Sequence, residues 1–139
     1  MKVTDFGLST DKELNTVKGT AMMTGCGSVL WMAPEMLLGQ TYNEKSDVFS
    51  FAMCLIELVD GKLPWTDCCA PSAIPLKVSQ GQVPMQQLTG LNISYPRMAE
   101  LIQGCWVREP AVRPAFTDVV VELEEMQLQE LVRNNSNLE

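Results

Sequence analysis

The sequence predicts a mainly α-helical fold, and three observations carry that expectation. Between Asp47 and Asp60, ten of fourteen residues are apolar and spread around the whole helical wheel. A helix apolar on every side must be buried on every side, as the central element of a core. Two further stretches, Met98 to Trp106 and Asp118 to Val132, repeat their apolar residues at helical spacing. Strand signal is nearly absent, apart from one short candidate ending at Thr4.

From the amino terminus, Asp5 to Gly27 is rich in Thr, Ser, Gly and Lys and shows no sustained apolar period. It reads as a long loop, and loops of that length in compact domains are usually functional or mobile. The helix at Asp47 to Asp60 falls short of the roughly 20 apolar residues that cross a bilayer, and Gly61 supplies the stop just past its last turn. Pro64, Pro71, Pro75, Gly81, Pro84, Gly90 and Pro96 then punctuate the chain, leaving room for one short helix around Ile74 to Val78. After Pro96, the positions Met98, Leu101, Ile102, Cys105 and Trp106 define a helix of about three turns. In the last helix Val120, Leu123, Leu128 and Leu131 make the apolar face, Glu122, Glu124, Glu125 and Glu130 the wet one, and Asn134 to Asn137 a polar tail.

A chain of 139 residues holds one domain or part of one. With 46% hydrophobic and 19% charged residues it is not a wholly disordered chain. Ten Lys and Arg against seventeen Asp and Glu give a net charge of −7 with no local basic patch, which argues against nucleic acid or anionic lipid as a partner. The five cysteines are odd in number, lack C-x-x-C spacing and come without any His, so neither a zinc site nor a secreted disulfide framework is expected. Adjacent Cys68 and Cys69 suit a reduced, cytoplasmic protein, and the first residues lack the apolar core of a signal peptide.

Asp5-Phe6-Gly7 alone would be read as a turn. Ala33-Pro34-Glu35 follows it downstream, preceded by Gly27-Ser28-Val29-Leu30-Trp31-Met32. Together the two triplets resemble the ends of the protein-kinase activation segment, between which that family places its regulatory phosphosite. The likeness runs on to about Met126. Asp47-Val48-Phe49-Ser50-Phe51 resembles the opening of the family's buried central helix, and Glu57-Leu58, Gly61 and Pro64-Trp65 its end and the following loop. Cys105-Trp106, Pro110, Arg113-Pro114 and Phe116 are similar to a run shared by tyrosine kinases and tyrosine-kinase-like kinases. Leu30 stands where tyrosine kinases carry Lys or Arg, and Ser28 matches the hydroxyl that Ser/Thr kinases use there. The resemblance is therefore to a tyrosine-kinase-like (TKL) Ser/Thr kinase, with a true tyrosine kinase as the alternative.

The resemblance implies the C-terminal helical lobe of the protein-kinase fold. It divides the chain into a partial kinase domain at 1–127, with an activation segment at 5–35 and lobe helices at 36–127, and a helix end and polar tail at 128–139. Asp5 would hold Mg2+ against the phosphates of ATP, with Phe6 and Gly7 completing the triplet. Glu35 and Arg113 would form a buried ion pair that anchors the activation segment. Asp47 would orient the catalytic loop, or act only as a helix N-terminal acid favoured by the dipole. Ser28 would bond into that loop, and Trp31 would wall the substrate pocket or serve as a structural Trp. Ala33, Pro34 and Trp106 are structural, and Ser9, Thr10, Thr16, Thr20 and Thr24 are candidate phosphosites.

Ala52 and Phe49 depart from the family's usual Gly and Trp. The larger departure is that these residues include no Gly-rich loop, no V-A-I-K lysine and no H-R-D loop with its catalytic Asp. The expectation is that ATP and Mg2+ belong to the intact kinase, acting on a protein substrate, and that this chain alone is inactive. Val48, Phe51, Leu55 and Leu58 are then expected to be partly bare. The other partners expected are the missing kinase half or a regulatory protein, in a parent that is cytoplasmic or membrane-anchored. A non-catalytic interaction fragment, docking through this face or through the acidic last helix, is the alternative.

Overall fold

The computed structural model describes residues 17–18, 27–66, 68, 70–82 and 95–136. Asp5, Phe6, Gly7, Ser9, Thr10, Thr16, Thr20 and Thr24 lie outside the described residues, as does the strand expected before Asp5.

Helices dominate the described residues: α1 (Pro34–Leu37), α2 (Lys45–Asp60), α3 (Ile74–Ser79), α4 (Pro96–Cys105) and α5 (Phe116–Ser136). Short 3-10 turns occupy Gly27–Leu30, Pro71–Ala73 and Pro110–Val112. Proline opens several of these elements, where its fixed φ fits the first turn and its missing N–H costs nothing. A minimal antiparallel ladder, β1 (Val17–Lys18) with β2 (Thr41–Tyr42), pairs Val17 with Tyr42 and Lys18 with Thr41. Two-residue strands are too short to show an alternation, so this ladder escapes a sequence-pattern reading.

The central helix starts where the Lys45 backbone N–H donates to Asn43 Oδ1 at 3.0 Å. It ends where Gly61, at φ 69°, returns its N–H to the Glu57 carbonyl at 2.8 Å. A Cβ at Gly61 would meet nothing, so backbone conformation rather than space calls for glycine there. Helix α5 begins two residues before the expected Asp118. The Asp118 carboxylate instead accepts the Ala115 N–H at 3.0 Å from the helix's third position, one half of a capping box.

Val48, Phe49, Ala52, Met53 and Ile56 of α2 form the main core with Ala33, with Ala99, Ile102 and Cys105 of α4, and with Val119 of α5. A second cluster joins Trp65 to Ile74 and Val78 of α3, with Val29, Leu30, Leu37 and Leu38 packed against it. Trp65 takes a positive φ of 63°, a conformation costing a bulky residue about 1–3 kcal/mol; the burial of its indole in this cluster offsets that strain.

Several expectations are corrected. The central helix is not buried all round: Leu58 is 79% exposed and Phe51 and Leu55 are half-buried, as expected of a partly bare face, and Cys54 is exposed too, whereas Val48, expected on that face, is 1% exposed and belongs to the core. The buried residues recur at i, i+1, i+4, i+5 and i+8, leaving an open arc with Phe51 and Leu55 at its margins. On α5 the packed stripe is Val119 and Leu123, whereas Val120, Leu128 and Leu131 are exposed. Its helix also runs through Asn134, Asn135 and Ser136, so these residues are not a non-helical tail. Glu122 and Glu125 both accept hydrogen bonds from Arg97 of α4, at 2.7 and 3.0 Å, instead of simply facing water.

Met53→Ala, in the main core, is expected to destabilise the chain by about 2–5 kcal/mol. Leu58→Ala on the open arc should stay within about 0.5 kcal/mol of the parent. Urea unfolding of the two variants measures the difference directly.

Candidate functional site

Arg113 follows the 3-10 turn at Pro110–Val112 and points into the lobe, where it is 1% exposed. A buried guanidinium needs a partner for every N–H, and all five of its donors are used. Nη1 and Nη2 donate to Oε1 and Oε2 of Glu35 at 2.7 and 2.8 Å, a two-pronged ion pair. The remaining donors reach the carbonyls of Lys45, Val107 and Arg108 at 2.9, 2.7 and 3.0 Å. The guanidinium carbon also sits 5.1 Å from the centre of the Phe49 ring, a cation–π distance. Lys45 Nζ donates back to the Arg113 carbonyl at 2.6 Å.

Glu35, on α1, is 3% exposed. Its Oε1 accepts a further hydrogen bond, at 2.6 Å, from the Ser46 hydroxyl on α2. Burial pushes this carboxyl up, but hydrogen bonds from Arg113, Ser46 and its own backbone N–H, with the attraction of the Arg113 charge, outweigh burial and hold it below its ordinary value. The pair and its attendants thus tie together three parts of the chain: α1, the start of α2 and the turn before α5.

Trp31 lies between the 3-10 turn and α1, half-buried against the main core. Its indole N–H donates to Glu57 Oε2 on α2 at 2.9 Å. Ser28 sits in the 3-10 turn at Gly27–Leu30. Residues 29–38 are held from both sides, with Trp31, Ala33 and Met36 against the main core and Val29, Leu30, Leu37 and Leu38 against the second cluster. Trp106 packs against the main core beside Cys105, whose thiol is pushed up to about 11 by burial and is thereby kept inert.

Asp47 stands in the first turn of α2, exposed at its surface. Partial burial and the neighbouring Glu44 carboxylate both push its carboxyl up, against the downward pull expected at a helix N-terminus. Asp5, the Mg2+ ligand that the resemblance implies, lies outside the described residues. Among the described residues no three His, Cys, Asp or Glu side chains converge on one point. No helix among them is long and apolar enough to cross a membrane.

Sequence reasoning did not find Lys45 and Ser46 around the ion pair, nor the bond from Trp31 to Glu57. The available signal was Glu57 itself, the single charged residue between Val48 and Val59, since a charge in an apolar run needs a partner.

The sequence profile described as protein tyrosine and serine/threonine kinase matches residues 1–123, and the chain belongs to that family. What it carries is the family's helical lobe from the D-F-G triplet onward. The chain is 38% identical over 126 residues to drkC, a probable serine/threonine-protein kinase of Dictyostelium discoideum, covering 91% of this chain and 16% of that protein. It is 37% identical over 128 residues to the serine/threonine-protein kinase VIK of Arabidopsis thaliana, covering 91% and 28%. It is also 35% identical over 130 residues to the dual specificity protein kinase shkD of Dictyostelium discoideum, covering 91% and 16%. The chain thus spans less than a third of the length of these curated relatives.

Replacing Arg113 with Met should strand the Glu35 charge and cost about 3–5 kcal/mol. Arg113→Lys should restore only part of this, since an ammonium cannot form the fork. The lowered Glu35 carboxyl also fixes a sign. Its contribution is complete above the ordinary value of 4.5 and disappears as pH falls through the lower folded-state value. Glu35→Gln should therefore lower stability at neutral pH and flatten the acid limb of a stability–pH profile followed by urea unfolding.

Proposed function

We propose that this chain is the activation segment and lower lobe of a protein Ser/Thr kinase of the tyrosine-kinase-like group. In the complete enzyme the γ-phosphate of ATP passes to a hydroxyl of a protein substrate, and Mg2+ supplies charge neutralisation at the phosphates. The family match over residues 1–123 carries this reading. The geometry that supports it is the buried fork between Glu35 and Arg113, which holds the end of the activation segment on the helical lobe.

Within this proposal Asp5 is the metal-binding carboxylate, Asp47 orients the catalytic loop, and Ser28 and Trp31 belong to the substrate-facing end of the segment. Glu57 then acts as a positioning residue, because its carboxylate fixes the rotation of the Trp31 indole. Ser9, Thr10, Thr16, Thr20 and Thr24 are the hydroxyls through which phosphorylation would order the segment. The domain spans 1–127, and residues 128–139 lie past its end. Leu30, where tyrosine kinases carry a basic residue, favours a Ser or Thr substrate.

These 139 residues include no Gly-rich loop, V-A-I-K lysine or H-R-D aspartate. Phosphoryl transfer depends on those parts acting together, so the chain by itself is proposed to be inactive. The second reading, a non-catalytic interaction fragment, is favoured by one observation: the open arc of α2 at Cys54 and Leu58.

Purified chain is expected to transfer no labelled phosphate to a generic protein substrate. Joined to an upstream segment carrying the three missing motifs, it should gain a transferase activity that Asp5→Asn abolishes. Activity of the chain alone that is lost on Asp5→Asn would refute the inactivity, and a joined enzyme insensitive to that change would remove Asp5 from the site.

A further inference from the structure

The ladder between β1 and β2 ties the loop at residues 17–18 to the short connection between α1 and α2. Its β2 side is fixed at both ends. The Gln40 N–H donates to the Glu35 carbonyl at 2.8 Å, and Asn43 Oδ1 accepts the Lys45 N–H at 3.0 Å. Its β1 side brings only Val17 and Lys18, and a two-stranded pairing of this kind is marginal in water. Any further attraction across the ladder therefore decides how firmly the loop is held.

The register sets Lys18 directly opposite Thr41. Directly opposed residues are nearest neighbours across a ladder, and opposite charges placed there are favourable. Thr41 carries no charge, but it is exposed, and its hydroxyl enters no hydrogen bond among the described residues. The hydroxyls of Ser46, Ser50, Ser79 and Ser136, by contrast, are engaged within the chain. Three and six residues after Thr41, Glu44 and Asp47 are exposed, and their carboxylates take no hydrogen bond or ion pair among the described residues. The intervening Lys45 spends its ammonium on the Arg113 carbonyl. An accessible hydroxyl followed by unpaired acids is complementary in charge to a protein kinase with a basic substrate groove.

We propose that Thr41 is a phosphorylation site for another, acid-directed protein kinase, and that its phosphate pairs with Lys18 to lock the loop onto the lobe. In the transfer, Thr41 Oγ1 forms a bond to the γ-phosphorus of ATP held by that kinase, the bond from this phosphorus to the ADP oxygen breaks, and the hydroxyl proton passes to the acting kinase's general base. The products are phosphothreonine and ADP. The new group adds about −1.5 to −2 charge opposite the lysine. What the lock does for activity rests on the proposed reading of 5–35 as an activation segment; the modification and the lock themselves do not.

The test uses the full chain, ATP and a purified acid-directed Ser/Thr kinase, with the modified residue located by mass spectrometry. Phosphate is expected on Thr41. Amide hydrogen exchange in a fragment containing residues 17–18 should then slow at least about tenfold. The slowing should be absent from Thr41→Val treated in the same way, lost in Lys18→Gln and retained in Lys18→Arg. Exchange requires no transferase activity of the chain, so this result is read separately from the joined-enzyme assay. The proposal is overturned if Thr41 stays unmodified, if exchange at 17–18 is unchanged by its phosphate, or if the slowing persists in Lys18→Gln or Thr41→Val.

Discussion

The described structure depends on a single buried cation. Arg113 has no route to water, and its five donors can be satisfied only if α1, the start of α2 and the 107–108 backbone all stand in their observed places. A buried ion pair is a poor source of net stability compared with well-packed apolar residues, because desolvation cancels much of the attraction. What it supplies is geometry. The fork fixes both position and rotation of the Glu35 carboxylate, the Ser46 hydroxyl adds a third constraint, and Phe49 closes the face of the guanidinium. A lysine or an apolar residue at position 113 could fill the space without specifying these neighbours.

That constraint explains how a segment with little regular structure is held. Residues 29–38 contain the end of one 3-10 turn and a single turn of α-helix, too little to persist alone. They are instead wedged between two apolar clusters whose side chains alternate toward α2 and toward α3. The polar ties lie at the edges of this wedge, Trp31 to Glu57 on one side and Glu35 to Arg113 on the other. Both lead back to α2, directly or through Ser46 and Lys45, so the central helix serves as the reference frame for the whole segment.

Much of this was legible in the sequence because its signals are local. The apolar run at 47–60, Pro96 at the start of α4, and Gly61 each specify their element within a few residues. Three features were not. Apolar density marked α2 as a core helix but not which arc faces solvent, since Leu58 and Ile56 are chemically alike and only tertiary packing distinguishes them. On α5 the presence of two stripes made Val120 as good a candidate as Val119, and one residue along a helix turns a side chain by about 100°. Glu35 with Arg113 are 78 residues apart. No period connects them, so that pairing came only from family likeness, as did the roles of residues 5–24, which lie outside the described structure.

Two acids near the start of α2 show stability and recognition pulling in opposite directions. Glu35 is held below its ordinary pKa by donors that burial alone would not supply, and it favours the fold at neutral pH. Asp47 is raised, with Glu44 close by; a raised carboxyl favours the fold only at low pH and weakens it as pH rises through the folded-state value. Asp47, Cys54 and Leu58 share one side of α2, with Phe51 half-covered there by an edge-on Phe116 ring at 5.7 Å. An apolar strip headed by an unfavourably placed acid is poor design for a surface meant to face water and reasonable design for one meant to be covered. Backbone N–H groups brought to Asp47 by a covering loop would lower its pKa and reverse the sign of its contribution. In the enzyme proposed above, Asp47 would then act electrostatically as well as by position, disfavouring the uncovered lobe and favouring the covered one.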